Sequence, residues 1–367
     1  MFWEVLWPLA LGFLISAIVQ SLVPRQAVVR VLGREDLRGA TFATLLGAAS
    51  SSCSYAAVAI ARSLFRKGAT FANAIIFEFA STNLVFELGL VLLVLLGWQF
   101  LAAEFAGGLL MIAILAVLFK YTLRARLVDA ARAQADKGLA GRMEGHAAMQ
   151  HAASSRFTAV SHNFYMEIAS IAQDVVLGFL IAGALAAWVP NSFWQALFLS
   201  RDPAAASVWG PIVGPVISLL SFVCSVGNIP LAVVLWNGGI SFGGVIAFIF
   251  ADLIILPILD IYRKYYGGRM SLYLLATSYV AMVLAGFLIG GLFQLLGLVP
   301  SHHFIAAFQA PPSWNYTTFL NLAALALIAV LGWRFVTTGG IDMLRAMERA
   351  PAPEHEMVHD HDGHHHR

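Results

Sequence analysis

Charge is scarce in this sequence. Only 11% of its 367 residues are Asp, Glu, Lys or Arg, while 60% are hydrophobic; a soluble domain carries about 25% charged residues. The deficit excludes a water-solvated globule and makes lipid the main solvent. The net charge of +2 says little, because the distribution of the charges matters more than their sum; no nucleic-acid partner is expected. Cysteine is equally scarce. Cys53 and Cys224 stand alone in apolar or small-residue stretches, which excludes a disulfide framework and zinc-ribbon spacing. There is no P-loop, so ATP hydrolysis by this chain is not expected, and there is no HExxH and no GxSxG, so the usual metalloprotease and serine-hydrolase signatures are missing. The N-terminus, MFWEVLWPLALGFLISAIVQSLVP, lacks a basic leader and an A-x-A cleavage site, and reads as a retained first span.

What the sequence has instead is long apolar runs. A bilayer core of about 30 Å needs about 20 apolar residues in a helix. Seven segments qualify: 3–23, 69–97, 100–120, 164–189, 240–262, 270–298 and 316–335. Two more, 40–62 and 207–236, are interrupted in the middle by GAASSSCS and by PIVGP followed by CSVGNIP. Backbone groups freed at such interruptions need protein or a water-filled cavity to satisfy them.

Basic residues favour cytoplasmic loops. Arg25, Arg30, Arg34 and Arg38 precede the first interrupted segment, and Arg62, Arg66 and Lys67 follow it. If that segment dips in and returns, both clusters are cytoplasmic. Carried along the chain, this places 21 of the 22 lysines and arginines inside and leaves Arg201 alone outside. The expected fold is an all-α integral membrane protein. Each half of an inverted repeat reads span, re-entrant broken hairpin, span, span, and one C-terminal span is added. That gives seven full spans and two hairpins, with the N-terminus outside and the C-terminus inside; nine ordinary spans is the alternative. The expected divisions are a first membrane repeat at 1–120, a cytoplasmic loop at 121–163 that is partly helical and acts as a linker, a second repeat at 164–298, an extracellular loop and last span at 299–336, and a cytoplasmic tail at 337–367.

The halves match in detail. LGFLISAIVQSLVP at 11–24 aligns with LGFLIAGALAAWVP at 177–190. Cys53-Ser54 aligns with Cys224-Ser225, Gly68-Ala-Thr-Phe71 with Gly239-Ile-Ser-Phe242, and Phe77-Glu-Phe79-Ala80 with Phe248-Ile-Phe250-Ala251, all at an offset of 171 without a gap. Inverted repeats with interrupted helices meeting at mid-membrane are the architecture of many secondary transporters, whose solute site lies at the repeat interface.

The phrases SSCSYAAVAIARSLFRKGATFANAIIFEFAST and CSVGNIPLAVVLWNGGISFGGVIAFIFADLIILPIL resemble the repeated signatures of the bacterial predicted-permease family that includes the organoarsenical efflux permeases. The resemblance covers most of 1–300. A cysteine followed by x-G-x-x-P-L-A is present in the second half as Cys224, Gly227, Pro230, Leu231 and Ala232, whereas Ser54-Tyr55-Ala56-Ala57 of the first half lacks that glycine and the later proline. The family implies a permease in the bacterial inner membrane and leaves the solute open.

Ionisable residues inside a membrane are costly and are functional candidates. Glu4, Glu104 and Asp260 lie near span ends, where water can solvate them. Glu78, Glu87, Asp174 and Asp252 lie deeper, with no Lys or Arg at comparable depth. A carboxylate in low dielectric takes up a proton or faces a cation, so these four are the coupling-ion candidates. Asp252 aligns with Ser81, which opens the polar cluster Ser81-Thr82-Asn83 halfway along an apolar run of 29 residues. That run, about 43 Å long as one helix, is expected to tilt or to break at the cluster. Ser81, Thr82, Asn83 and Asn228 are candidate substrate contacts. So are Cys53 and Cys224, because thiolates suit soft metals and metalloids.

The tail carries His355, His359, His361, His364, His365 and His366 among acidic residues, a composition that binds divalent metal. No cofactor is expected in the membrane domain. The expected activity is secondary transport of a small solute, a soft metalloid or metal species among the candidates, coupled to protons or a cation. Membrane lipid and the solute are the expected partners, with an oligomer open. The alternative is a membrane-embedded enzyme or assembly partner acting on a lipid-linked substrate.

Overall fold

The computed structural model of the chain describes residues 36–50, 54–136, 156–221, 225–300 and 316–342, together with Leu32, Gly33 and scattered positions between 3 and 18. The first half runs through α1 (Leu37–Ser50), α2 (Ser54–Arg66), α3 (Phe71–Asn83), α4 (Phe86–Leu95) and α5 (Trp98–Thr122), followed by α6 (Ala125–Ala135). The second begins with the long α7 (Arg156–Trp188) and the short α8 (Asn191–Leu197). It continues through α9 (Pro203–Ser221), α10 (Ser225–Asn237), α11 (Phe242–Phe250), a 3-10 turn at Ala251–Leu253, α12 (Leu256–Tyr266) and α13 (Gly268–Leu295). The last helix is α14 (Tyr316–Thr337). Among the described residues there is no strand.

Among the described residues, five stretches are long and apolar enough to cross a bilayer: Phe71–Leu95, Trp98–Thr122, Pro203–Ser221, Gly268–Leu295 and Thr317–Thr337. A sixth is the pair Phe242–Leu253 and Leu256–Tyr266, bent by 41° at its break. Large apolar side chains stand exposed along α5, α13 and α14, among them Leu109, Val117, Leu272, Leu288, Phe319 and Trp333. Such faces require lipid. The chain is an all-α, multi-pass membrane protein.

The repeated phrases are stop-and-start signals. Gly68 and Gly239 both take positive φ, 106° and 94°. At the first, the Ala69 amide donates to the Leu64 carbonyl and the Gly68 amide to Phe65; at the second, Ile240 donates to Leu235 and Gly239 to Trp236. That is the same glycine-terminated helix end twice. Two residues on, Thr70 and Ser241 cap the next helix, their hydroxyls accepting from the Asn73 and Gly244 amides. The offset of 171 also maps the first and last residues of α2 onto those of α10. Beyond the helix break it becomes 170, because Leu84–Val85 corresponds to Ile254–Ile255.

Helices α1 and α2 have 14 and 13 residues, about 20 Å each, short of a bilayer core. Their outer ends lie together: the Leu32 carbonyl, just before α1, accepts from the Thr70 amide (3.1 Å), just after α2, and from the Asn73 side chain (2.9 Å). The hairpin α9–α10 is built the same way. A Cβ on Gly239, after α10, would lie 3.1 Å from Ser200, before α9. Across its inner end, Asn228 donates to Ser218 (3.1 Å) and accepts from Ser221 (3.1 Å). Each hairpin packs closely on the helix that follows it. Gly47 abuts the Phe77 carbonyl and Ala80, and Gly214 abuts Gly244 and Phe248. Small residues permit such backbone approach where lipid supplies no hydrophobic drive.

Both hairpins, α3–α5 and α11–α13 share one core. Phe13, Ala17, Phe164 and Leu331 form a second, smaller one that joins the N-terminal segment, α7 and α14.

Candidate functional site

Both elements that follow the hairpins are interrupted where the sequence suggested, the first after Ser81-Thr82-Asn83 and the second at Asp252. Helix α3 ends at Asn83 and α4 begins at Phe86. The cause is local. Ser81 donates to the Glu78 carbonyl (2.8 Å), Thr82 to Phe79 (3.2 Å), and the Asn83 amide to Phe79 (3.2 Å). Side chains thereby take up carbonyls at the helix end. In the second half the chain tightens into the 3-10 turn that carries Asp252, and Pro257 opens α12. Proline suits a first helical turn and cannot continue the preceding helix. Glu87 occupies the corresponding first turn of α4, where a carboxylate complements the helix dipole.

Three carboxylates converge at this level. Glu78 is fully buried, and Tyr262 of α12 donates its hydroxyl to Oε1. Asp252 is fully buried and accepts at Oδ2 from Ser54, the first residue of α2, at 2.8 Å. The inner end of the first hairpin therefore touches the break of the second half. Glu104 is also fully buried, and Asp252 lies within electrostatic range of both Glu78 and Glu104.

The position of Glu104 corrects the expectation of a solvated span end. Ala103 is buried beside it, and Gly107 and Gly108 one turn on admit Phe250, Ile289 and Leu84, so the face of α5 that carries Glu104 is covered by its neighbours. Asp260 is solvated as expected and pairs with Arg263 (2.7 Å) and Lys264 (2.8 Å).

Acceptors at the site outnumber donors. Glu104 Oε1 and Oε2, Glu78 Oε2 and Asn83 Oδ1 are buried and have no hydrogen-bond partner among the described residues. An ionised carboxylate so placed is expensive, so the arrangement suits a proton or a visiting cation. Among the described residues no three His, Cys, Asp or Glu side chains approach closely enough to hold a metal ion.

The structure thus gathers Glu78, Ser81, Thr82, Asn83 and Asp252 at the two breaks, with Glu87 one turn away on α4. Asn228 is engaged within its own hairpin. Cys53, Cys224, the side chain of Asp174 and the six tail histidines lie outside the described residues.

Sequence reasoning missed Ser54, Tyr262 and the role of α6, and assigned Glu104 to a solvated span end. Helix α6 lies in the segment expected to be a linker, yet it closes the outer end of the first hairpin. Arg132 donates to the Phe65 and Ala69 carbonyls (2.9 and 3.3 Å) and lies 4.1 Å from the Phe65 ring centre. The fully buried Arg62 donates to the Ala135 carbonyl (2.8 Å) and lies over Tyr265. Gln134 reaches the Lys264 carbonyl (3.2 Å), and Arg66 faces Asp136 at 3.6 Å. Arginine spacing was the available signal, but it reads equally as a solvated cytoplasmic face. The outer end of the second hairpin is different: a cavity of about 770 Å³ opens there, lined by Arg201, Gln195, Asn237, Ser241, Trp236 and Gln294 among others.

Comparison with known proteins identifies relatives of the chain. The family model described as "Predicted permease" matches residues 1–291. A Mycobacterium tuberculosis protein that is a permease by its name, Rv2963, is 57% identical over 347 residues, covering 91% of this chain and 86% of that protein. The UPF0718 protein YraQ of Escherichia coli is 29% identical over 119 residues, covering 31% of this chain and 33% of its own. No solved structure matches significantly. The chain belongs to the predicted-permease family.

Proposed function

We propose that this member of the predicted-permease family is a secondary transporter of the bacterial inner membrane, moving a small solute in a cycle coupled to protons or a cation. The observation that carries the reading is the bond between Ser54 of the first half and Asp252 of the second, with Glu78 and Glu104 buried in electrostatic range. Carboxylates held where two broken elements meet can load and release a small ion as the halves rock. Protons are the favoured coupling ion, because Glu78 already faces a hydroxyl and the site is rich in acceptors without donors.

The hairpins are read as re-entrant. The meeting of Leu32 with Thr70, and of Ser200 with Gly239, supports entry and exit on one side for each. With the basic clusters inside, the first hairpin opens to the cytoplasm and the second to the exterior, which makes the repeats inverted. Soft metalloid or metal species remain the leading solutes, on the thiols of Cys53 and Cys224, with the histidine tail as a separate place for divalent metal. The reading is tested by flux into liposomes under an imposed pH or cation gradient. Gradient-driven uptake or release of arsenicals, soft metals or small anions supports it, and no flux of any of these under either gradient contradicts it.

A further inference from the structure

The bond from Tyr262 to Glu78 does more than satisfy a buried oxygen, because Tyr262 also belongs to the aromatic layer that seals the first hairpin. Its ring stacks on Tyr266 (centroids 6.2 Å apart, planes at 29°). Tyr266 meets Phe71 edge-on at 5.3 Å and Phe65 at 6.1 Å. Phe65 carries the Arg132 guanidinium on its face and gives that residue its carbonyl. An unbroken series of contacts therefore runs from a carboxylate at the helix break to the helix that closes the mouth.

We propose that Tyr262 is a positioning residue that couples the ionisation of Glu78 to the closure of the first hairpin's mouth by α6. A carboxylate accepts a phenol hydrogen bond about twice as strongly as a neutral carboxyl does. Ionised Glu78 holds Tyr262, and with it Tyr266, against Phe65 and Phe71. Protonated Glu78 holds it weakly, the aromatic layer loosens, and Arg132 and α6 open more often. Proton loading at the centre thus favours access from the cytoplasmic end. This rests on the proton-coupled reading for its place in a transport cycle, but the coupling is a property of the folded protein and is measurable without transport.

Other titratable and charged groups bear on the same path. Asp252 and Tyr266 act electrostatically on Glu78 or Tyr262, and Glu104 acts through Asp252. At the mouth, Arg62, Arg66 and Asp136 surround α6. Asp136 is the carboxylate at this mouth, paired with Arg66 at 3.6 Å, and Asp136→Asn removes its charge.

Backbone amide exchange of the purified, full-length protein in detergent tests the proposal, with rates corrected for the intrinsic effect of pH. In wild type, and in Asp136→Asn, residues 125–135 and 62–69 should exchange about fivefold faster at mildly acidic than at mildly alkaline pH, the ratio expected for the difference between a charge-assisted and a neutral hydrogen bond. Tyr262→Phe keeps the ring and loses the bond, and Glu78→Gln fixes the acceptor neutral. Both should exchange at the fast rate at either pH. Tyr266→Leu keeps the bond but interrupts the contacts, and should also lose the pH response. A wild-type pH response in either Tyr262→Phe or Glu78→Gln, or no response in wild type, overturns the proposal. Because the two central variants stand independently, failure of one to fold leaves the other decisive. A pH response with no proton-driven flux would count against the transport reading alone.

Discussion

The two hairpin mouths are built from the same parts and end in opposite conditions. Each has a glycine-terminated helix, a hydroxyl cap and a closely packed following helix, at matching offsets. The first mouth is sealed by two arginines, an aromatic layer and α6. The second opens into a cavity of about 770 Å³ beside Arg201. The difference lies outside the repeated residues, in what flanks them. Local sequence sets where the chain turns, and the flanking helices set which mouth is shut. Under the transporter proposed above, this asymmetry would correspond to one of the two states that alternating access requires.

The centre is where the two halves should differ most in effect. Asp252→Asn retains an oxygen for Ser54 and removes the ionisable group. Transport should fall by about a hundredfold, the scale of losing a positioned proton-transfer group, and the residual rate should lose its pH dependence. Ser81→Ala, at the corresponding position of the first half, removes only a bond to the Glu78 carbonyl. It should cost about 1 kcal/mol of stability and leave the pH profile intact. Equal effects of the two substitutions on flux in liposomes would erase the functional asymmetry at the centre.

The mouths come next. Arg132→Met removes two hydrogen bonds from a charged donor and a cation–ring contact, worth together about 2–3 kcal/mol of local stability. Trp209→Phe, at the other mouth, removes one bond to the Leu197 carbonyl, about 1 kcal/mol. Local amide exchange at each mouth measures both, and the first should exceed the second.

The turns are smaller still and test the repeat itself. Gly68→Ala meets nothing within 4 Å and should cost only the left-handed strain, about 1–2 kcal/mol. Gly239→Ala bears the same strain and also presses on Ser200, 3.1 Å away. Thermal unfolding should therefore rank Gly239→Ala below Gly68→Ala, and the reverse order would show that the two turns are not equivalent.

How far the sequence is legible follows the same division. The glycine turns that follow each hairpin, the hydroxyl caps and the break after Asn83 are written in short phrases, because glycine at positive φ, Thr or Ser before a helix, and a polar cluster in an apolar run act locally. Glu78 and Asp252 stand out for the cost of charge in lipid. Glu104 does not, because position along a span measures depth only if the span starts at the membrane surface, and Gly107 and Gly108 instead let neighbouring helices cover the face of α5 that carries Glu104. Tyr262 and α6 are illegible for another reason: their partners lie 184 residues away for Tyr262 and 67 and 63 away for Arg132. An arginine that closes a mouth has the same local surroundings in sequence as one in water.

That the two hairpins open to opposite faces of the membrane, each entering and leaving on its own face, is the proposal most directly open to measurement. Its most direct measurement is labelling by a membrane-impermeant thiol reagent in a Cys53→Ser, Cys224→Ser background, with single cysteines at Arg38, Lys67 and Arg201, all exposed. Arg38→Cys and Lys67→Cys should both label only from the cytoplasmic side, and Arg201→Cys only from the outside. Labelling of positions 38 and 67 from opposite sides would make the first hairpin a full crossing, the repeats parallel, and the account of two inverted mouths wrong.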